Sequence, residues 1–156
     1  MKLADFLCKK AILVDLQGTT KEDVIEELIG VLIDSEVIAK KDKNKILDVV
    51  MAREKLGSTA IGQGVAIPHA KFEGIEKLTA CLGISKKGVD FDSLDGEPAY
   101  IFFLLIAPID SAGPHLKALA RISRLLKDKF FRDSLRAAEN AKVVLKSIAI
   151  EDERIG

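Results

Sequence analysis

The stretch Ala99-Tyr100-Ile101-Phe102-Phe103-Leu104-Leu105-Ile106-Ala107-Pro108 is apolar almost without interruption. It is far too short to cross a bilayer, which takes about 20 residues of helix. A run of this kind instead reads as a central strand buried on both faces, ended by its proline. Two buried faces need two covering layers, so the run commits the chain to helices on either side of a sheet. The rest of the sequence supplies them.

A helix is expected over Lys21 to Ser35, where Thr19 and Thr20 stand in capping-box spacing with Glu22 and Asp23 and where Val24, Leu28, Val31 and Leu32 form one stripe. A second is expected over Lys41 to Lys55, with Ile46, Val49 and Val50 inward and Gly57 as its stop. Ser58 to Ala70 then changes texture. Gly62, Gly64 and Pro68 break helix there and suit short strands and turns. Leu78 to Ser85 and Tyr100 to Ala107 read as strands joined through the turn-rich Asp90 to Pro98. Pro114 opens a helix to about Lys127, with Leu116, Leu119, Ile122 and Leu126 facing in. Phe130 to Ala138 and Ala141 to Ile148 complete the helical set. No stretch resembles a linker, so residues 1–156 are read as one α/β domain, a mixed sheet flanked by helices.

Lys plus Arg and Asp plus Glu number 24 each, and the formal net charge is zero. That balance argues against a nucleic-acid binder, whose binding face carries a basic excess. Cys8 and Cys81 lie far apart, in neither metal nor redox spacing, and read as free thiols in a reducing compartment. Met1 to Lys10 lacks the apolar core of a signal peptide. The expectation is a cytoplasmic protein that is not embedded in a membrane.

Only His69 and His115 carry imidazole, whose ring nitrogen is free to act as a nucleophile near neutrality. His69 closes the Gly-rich segment Gly62-Gln63-Gly64-Val65-Ala66-Ile67-Pro68, in which glycines allow a close anion approach and Pro68 stiffens the chain before the ring. His115 follows Pro114 at a helix start, where unpaired N–H groups and the helix dipole favour a negative group. Arg53 ends the preceding helix, and its planar fork suits phosphoryl oxygens.

The segment Arg53-Glu54-Lys55-Leu56-Gly57-Ser58-Thr59-Ala60-Ile61-Gly62-Gln63-Gly64-Val65-Ala66-Ile67-Pro68-His69-Ala70 closely resembles the phosphorylation site of the fructose/mannitol-type IIA proteins of the bacterial phosphotransferase system, a class that includes the nitrogen-regulatory IIA proteins. Asp90 to Pro98, Ile101 to Pro108 and His115-Leu116 are similar to the family as well, and the likeness runs from Lys21 to about Ala138. The resemblance implies the mannitol-type IIA fold and a phosphohistidine carrier. His69 matches the phosphorylated residue, attacking through Nε2; His115 matches the second active-site histidine; Arg53 matches the arginine that approaches the phosphoryl group; Thr59 matches a hydroxyl residue of the motif and is expected to bind the phosphoryl group. Implied partners are an HPr-like histidine phosphocarrier as donor and, downstream, a IIB domain or regulatory target proteins. The reaction needs no metal or cofactor.

Two readings compete from other classes. A metal-dependent hydrolase could recruit Asp90, Asp92 or Asp95 to the histidines, but no HxH or HExxH spacing occurs. A binding module that has lost phosphotransfer is opposed by the intact Arg53, His69 and His115. Within the family, the chain ends at Gly156 without a IIB cysteine loop or membrane spans, which tilts the expectation toward the nitrogen-regulatory branch over a sugar-specific IIA subunit.

Overall fold

A computed structural model describes all of residues 1–156. The chain begins with a 3-10 turn, Leu3–Asp5, has a second at Lys40–Asp42, and otherwise runs as one strand, two helices, five strands and three helices. In order these are β1 (Leu7–Leu13), α1 (Lys21–Asp34), α2 (Lys43–Lys55), β2 (Ala60–Gly62), β3 (Val65–Ala66), β4 (His69–Lys71), β5 (Thr79–Val89), β6 (Ala99–Ala107), α3 (Ala112–Leu125), α4 (Lys129–Ala137) and α5 (Ala141–Ile155). No helix is long and apolar enough to cross a membrane.

One mixed six-stranded sheet runs in the order β1-β5-β6-β3-β2. The apolar run is its centre. β6 pairs antiparallel with β5 along one edge, and parallel with β3 and then β4 along the other. Its side chains alternate between two cores, as period-2 geometry requires. Ile101, Phe103 and Leu105 pack with Ala118, Ile122 and Leu125 of α3, Phe131 of α4 and Val144 of α5. Phe102, Leu104 and Ile106 pack with Val24, Ile25 and Leu28 of α1 and with Ile46 and Val50 of α2. All but one of these β6 side chains are fully buried, Phe103 retaining 1% exposure.

Helix α1 starts as the capping pattern requires, Thr20 Oγ1 accepting from the Asp23 N–H at 3.2 Å. Three expectations need adjustment. Strand β1 was not expected, because Lys9 and Lys10 interrupt its apolar pattern; it survives as an edge strand, where lysines are tolerated and discourage further pairing. Val49 and Leu116, expected inside, are 38% and 68% exposed, and the inward positions are taken by Ile46, Val50 and Glu54 on α2 and by Ala118, Arg121 and Leu125 on α3. Helix α3 starts at Ala112 rather than Pro114, and α5 continues to Ile155, two turns beyond the expected end.

Candidate functional site

The link from β3 to β4 sets the position of His69. Both strands pair with β6, at Val65–Ala66 and His69–Lys71, and between them Ile67-Pro68 steps along the same edge. The Pro68 carbonyl still accepts from the Leu105 N–H at 3.0 Å, so the proline costs the ladder no acceptor. Upstream, Gly62, Gln63 and Gly64 all have positive φ (97°, 58° and 80°), which the two glycines adopt freely and which the turn from β2 to β3 requires. The Asp95 carboxylate holds that turn by accepting from the Gln63 N–H at 2.9 Å.

His69 is half-buried at the first position of β4, and its Nδ1 lies 2.7 Å from the Ile67 carbonyl oxygen. An amide carbonyl can only accept, so Nδ1 carries the proton and Nε2 holds the free lone pair. Burial lowers the His69 pKa below the ordinary 6.5, and the Arg53 charge lowers it further; the Ile67 hydrogen bond and Glu54 act in the opposite direction. The ring is therefore neutral, with Nε2 unprotonated, at pH 7.

His115 comes from the other side of β6, at the fourth residue of α3. Its ring meets that of His69 edge to face, centroids 5.3 Å apart and planes at 87°. Its Nε2 is buried without a hydrogen-bond partner. Burial pushes the pKa down to about 4, assisted by the neighbouring His69 and Lys71. Its backbone N–H closes the first helical bond to the Ser111 carbonyl, and the Ser111 side chain donates to Pro108 instead of capping the helix. The N–H groups of Ala112 and Gly113 precede that first bond, which makes this helix start an anion-binding end.

Arg53 lies in the last turn of α2 and donates from Nη1 to the Gly57 carbonyl at 2.8 Å. That bond fixes the guanidinium beside the loop into β2, near enough for its charge to act on His69. Thr59 is buried, and its hydroxyl donates to the Glu54 carboxylate while its N–H reaches the same group at 3.2 Å. The Thr59 proton is thus already engaged.

Two charged residues near the site were not anticipated. Lys71, two residues beyond His69 on β4, shares its face and places a second cation beside the histidines. Glu54 is only 5% exposed and pairs with Lys21 Nζ at 3.2 Å; Lys21 also meets Asp92 at 3.1 Å and stands 4.8 Å over the Phe91 ring. A signal for Glu54 existed, because it continues the i, i+4 stripe of Ile46 and Val50. The aspartates of the hydrolase reading are engaged elsewhere, Asp92 with Lys21 and Asp95 with Gln63, and no three side chains of ligand type converge.

Two uncharged imidazoles, two flanking cations and an uncapped helix start suit a transferring phosphoryl group better than a small organic ligand. Residues 5–150 match the model of the EIIA 2 family of the phosphoenolpyruvate-dependent sugar phosphotransferase system. The chain belongs to this family. A nitrogen regulatory protein of Bradyrhizobium diazoefficiens is 37% identical over 150 residues, covering 96% of each chain. The fructose-specific EIIABC component of Bacillus subtilis is 35% identical over 98% of this chain, which spans 24% of that longer protein. The crystal structure of nitrogen regulatory protein IIA-Ntr from Neisseria meningitidis superposes with a TM-score of 0.84 at 30% identity, covering 94% of this chain and 98% of that one. Membership of the EIIA 2 family implies phosphoryl transfer between proteins.

Proposed function

We propose that the chain is a phosphohistidine carrier that accepts a phosphoryl group on Nε2 of His69 from an HPr-like protein and uses its phosphorylation state to regulate target proteins. The observation that carries the reading is the bond from His69 Nδ1–H to the Ile67 carbonyl, which leaves Nε2 as the nucleophilic nitrogen of a neutral ring.

In the transfer, the His69 Nε2 lone pair attacks phosphorus in line. The N–P bond of the donor phosphohistidine breaks, and the donor ring keeps its electron pair. Nδ1–H stays on the Ile67 carbonyl before and after, so His69 exchanges no proton. Arg53, Lys71 and the N–H groups of Ala112 and Gly113 face the charge spread over the equatorial oxygens. His115 supplies a buried, unpartnered ring nitrogen, which gains a hydrogen bond when a phosphoryl oxygen arrives.

The regulatory branch is favoured by the 37% identity to the Bradyrhizobium protein and by the TM-score of 0.84 to the Neisseria structure. A second reading, a sugar-specific IIA that donates to a IIB protein, is favoured by the 35% identity to the fructose-specific EIIABC component. A IIC permease gene beside this one would select the second reading.

The test is ³²P transfer from phosphoenolpyruvate through a general phosphotransfer pair, with mapping of the acid-labile label. Label confined to His69 is expected. Label that persists undiminished in His69→Ala would overturn the assignment.

A further inference from the structure

Glu54 and His69 are joined by an unbroken series of hydrogen bonds. The Glu54 carboxylate, desolvated and neutralised by Lys21, accepts both the N–H and the hydroxyl of Thr59. The Thr59 carbonyl accepts the Ile67 N–H at 3.0 Å. The Ile67 carbonyl accepts Nδ1–H of His69 at 2.7 Å. Thr59 and Ile67 each donate through the N–H and accept through the C=O on the two sides of one Cα, so the series couples backbone position from residue to residue.

From this geometry we infer that Glu54 is a positioning residue for phosphoryl transfer: acting through Thr59 and Ile67, it holds His69 in the Nδ1–H tautomer that exposes the Nε2 lone pair. The inference rests on the reading of His69 as the acceptor. Glu54 does not touch the transferring group. Its carboxylate holds the Thr59 backbone and hydroxyl, the Thr59 carbonyl holds the Ile67 N–H, and the Ile67 carbonyl across the next Cα is thereby aimed at the ring. The alternative tautomer carries its proton on Nε2 and has its lone pair on Nδ1, turned to the Ile67 carbonyl and away from phosphorus. After transfer the phosphorylated ring gains positive character, so Nδ1–H becomes a stronger donor to the Ile67 carbonyl.

The buried pairing explains why the acid occupies this position. A carboxylate on the apolar stripe of α2 requires a cation and donors, and Lys21 and Thr59 meet that requirement with no water-facing remainder. Thr59 is then assigned a structural hydroxyl, which accounts for its burial better than direct contact with a phosphoryl group does.

The experiment combines imidazole ¹⁵N NMR at neutral pH with single-turnover transfer from a phosphorylated HPr-like carrier, for wild type, Glu54→Gln, Glu54→Asp and Thr59→Val. Wild type is expected to show His69 as the Nδ1–H tautomer. Glu54→Gln is expected to show a mixture of tautomers and a transfer rate at saturating donor lower by roughly 10- to 100-fold, the range for outer-sphere partners of functional histidines. Half-saturating donor concentration should not change, because Glu54 is buried and cannot touch the donor. Thr59→Val, which keeps both peptide links, should fall between wild type and Glu54→Gln, and Glu54→Asp should recover part of the tautomer preference. Wild-type tautomer and rate in a folded Glu54→Gln would overturn the inference. If Glu54→Gln loses its dispersed amide spectrum, the decision passes to Thr59→Val, whose wild-type tautomer and rate would overturn it equally. Failure of wild-type His69 to become phosphorylated on Nε2 would instead strike the assignment of the acceptor, so the two failures are separable.

Discussion

Glu54 and Asp152 are both buried carboxylates, and both occupy the place where a helix stripe calls for an apolar residue, after Ile46 and Val50 on α2 and after Val144 and Ile148 on α5. Their surroundings differ. Asp152 accepts from Nε and Nη2 of Arg121 at 3.1 and 2.8 Å and from the N–H groups of Leu3 and Ala4 at 3.0 and 3.2 Å, binding the chain start, α3 and α5 together. Those partners are remote in sequence and none leads to a reactive group. Glu54 bonds to Thr59, five residues on, and Thr59 leads through Ile67 to His69. Similar chemistry thus serves anchoring in one place and aim in the other. What separates them is whether the hydrogen-bond series ends on structure or on the proposed nucleophile.

The contrast predicts which variants lose activity and which lose stability. The largest effect falls on the nucleophile itself. His69→Ala should accept no label at all in the ³²P assay while unfolding at a denaturant midpoint close to wild type, and a stable, labelled variant would remove the site. Asp152→Ala should do the reverse. Leaving Arg121 buried without its counterion costs about 3–5 kcal/mol in comparable sites, visible as a lower midpoint in urea at unchanged slope. Its transfer rate per folded molecule should stay at the wild-type value; a slowed rate in the fully folded variant would mean that the anchoring pair also shapes the site.

Arg53→Ala tests the charge-stabilising side of the site. A lost preorganised donor costs on the order of 10²- to 10³-fold in rate, and Arg53→Lys should recover only part of it, since an ammonium cannot reproduce the two-pronged contact. Circular dichroism should register little change, because the bond to Gly57 is a single contact at a helix end. Wild-type transfer in Arg53→Ala would place the arginine outside the reaction.

The smallest effect concerns pH. His115 titrates at about 4 in the folded chain against 6.5 when unfolded. Between those values the unfolded chain binds a proton that the folded chain does not, so stability rises with pH across that window and is lost as pH falls through it. Allowing for partial solvent access, the loss from pH 6.5 to 4 is on the order of 2 kcal/mol. His115→Gln should lose correspondingly less over the same range in urea titrations. His69 is shifted in the same direction, so the acid limb of the transfer rate should lie at lower pH than for a free imidazole. Equal acid sensitivity of wild type and His115→Gln would show that the buried ring does not carry this penalty.

The sequence alone determined the layered α/β architecture, because an apolar run too short for a membrane has to be covered on both faces, and because α1 and α3 to α5 carry legible stripes. It also singled out the proposed site residues: Arg53 and His69 stand at fixed spacing in the segment Arg53 to Ala70, and His115 lies downstream. Where the pattern reading fell short, a charge interrupted the apolar pattern. The exposed Lys9 and Lys10 hid the edge strand β1, and the buried Glu151 and Asp152 made α5 seem to end at Ile148. Only the tertiary structure decided that the two imidazoles meet at 5.3 Å, that the Thr59 hydroxyl turns to Glu54, and that Nδ1 of His69 is the protonated nitrogen. The physical reason is common to all three. A stripe or a motif records which residues are apolar or reactive, but a buried charge or a tautomer is fixed by a partner, and those partners come together only when the strands around β6 and the helices on both faces are in place.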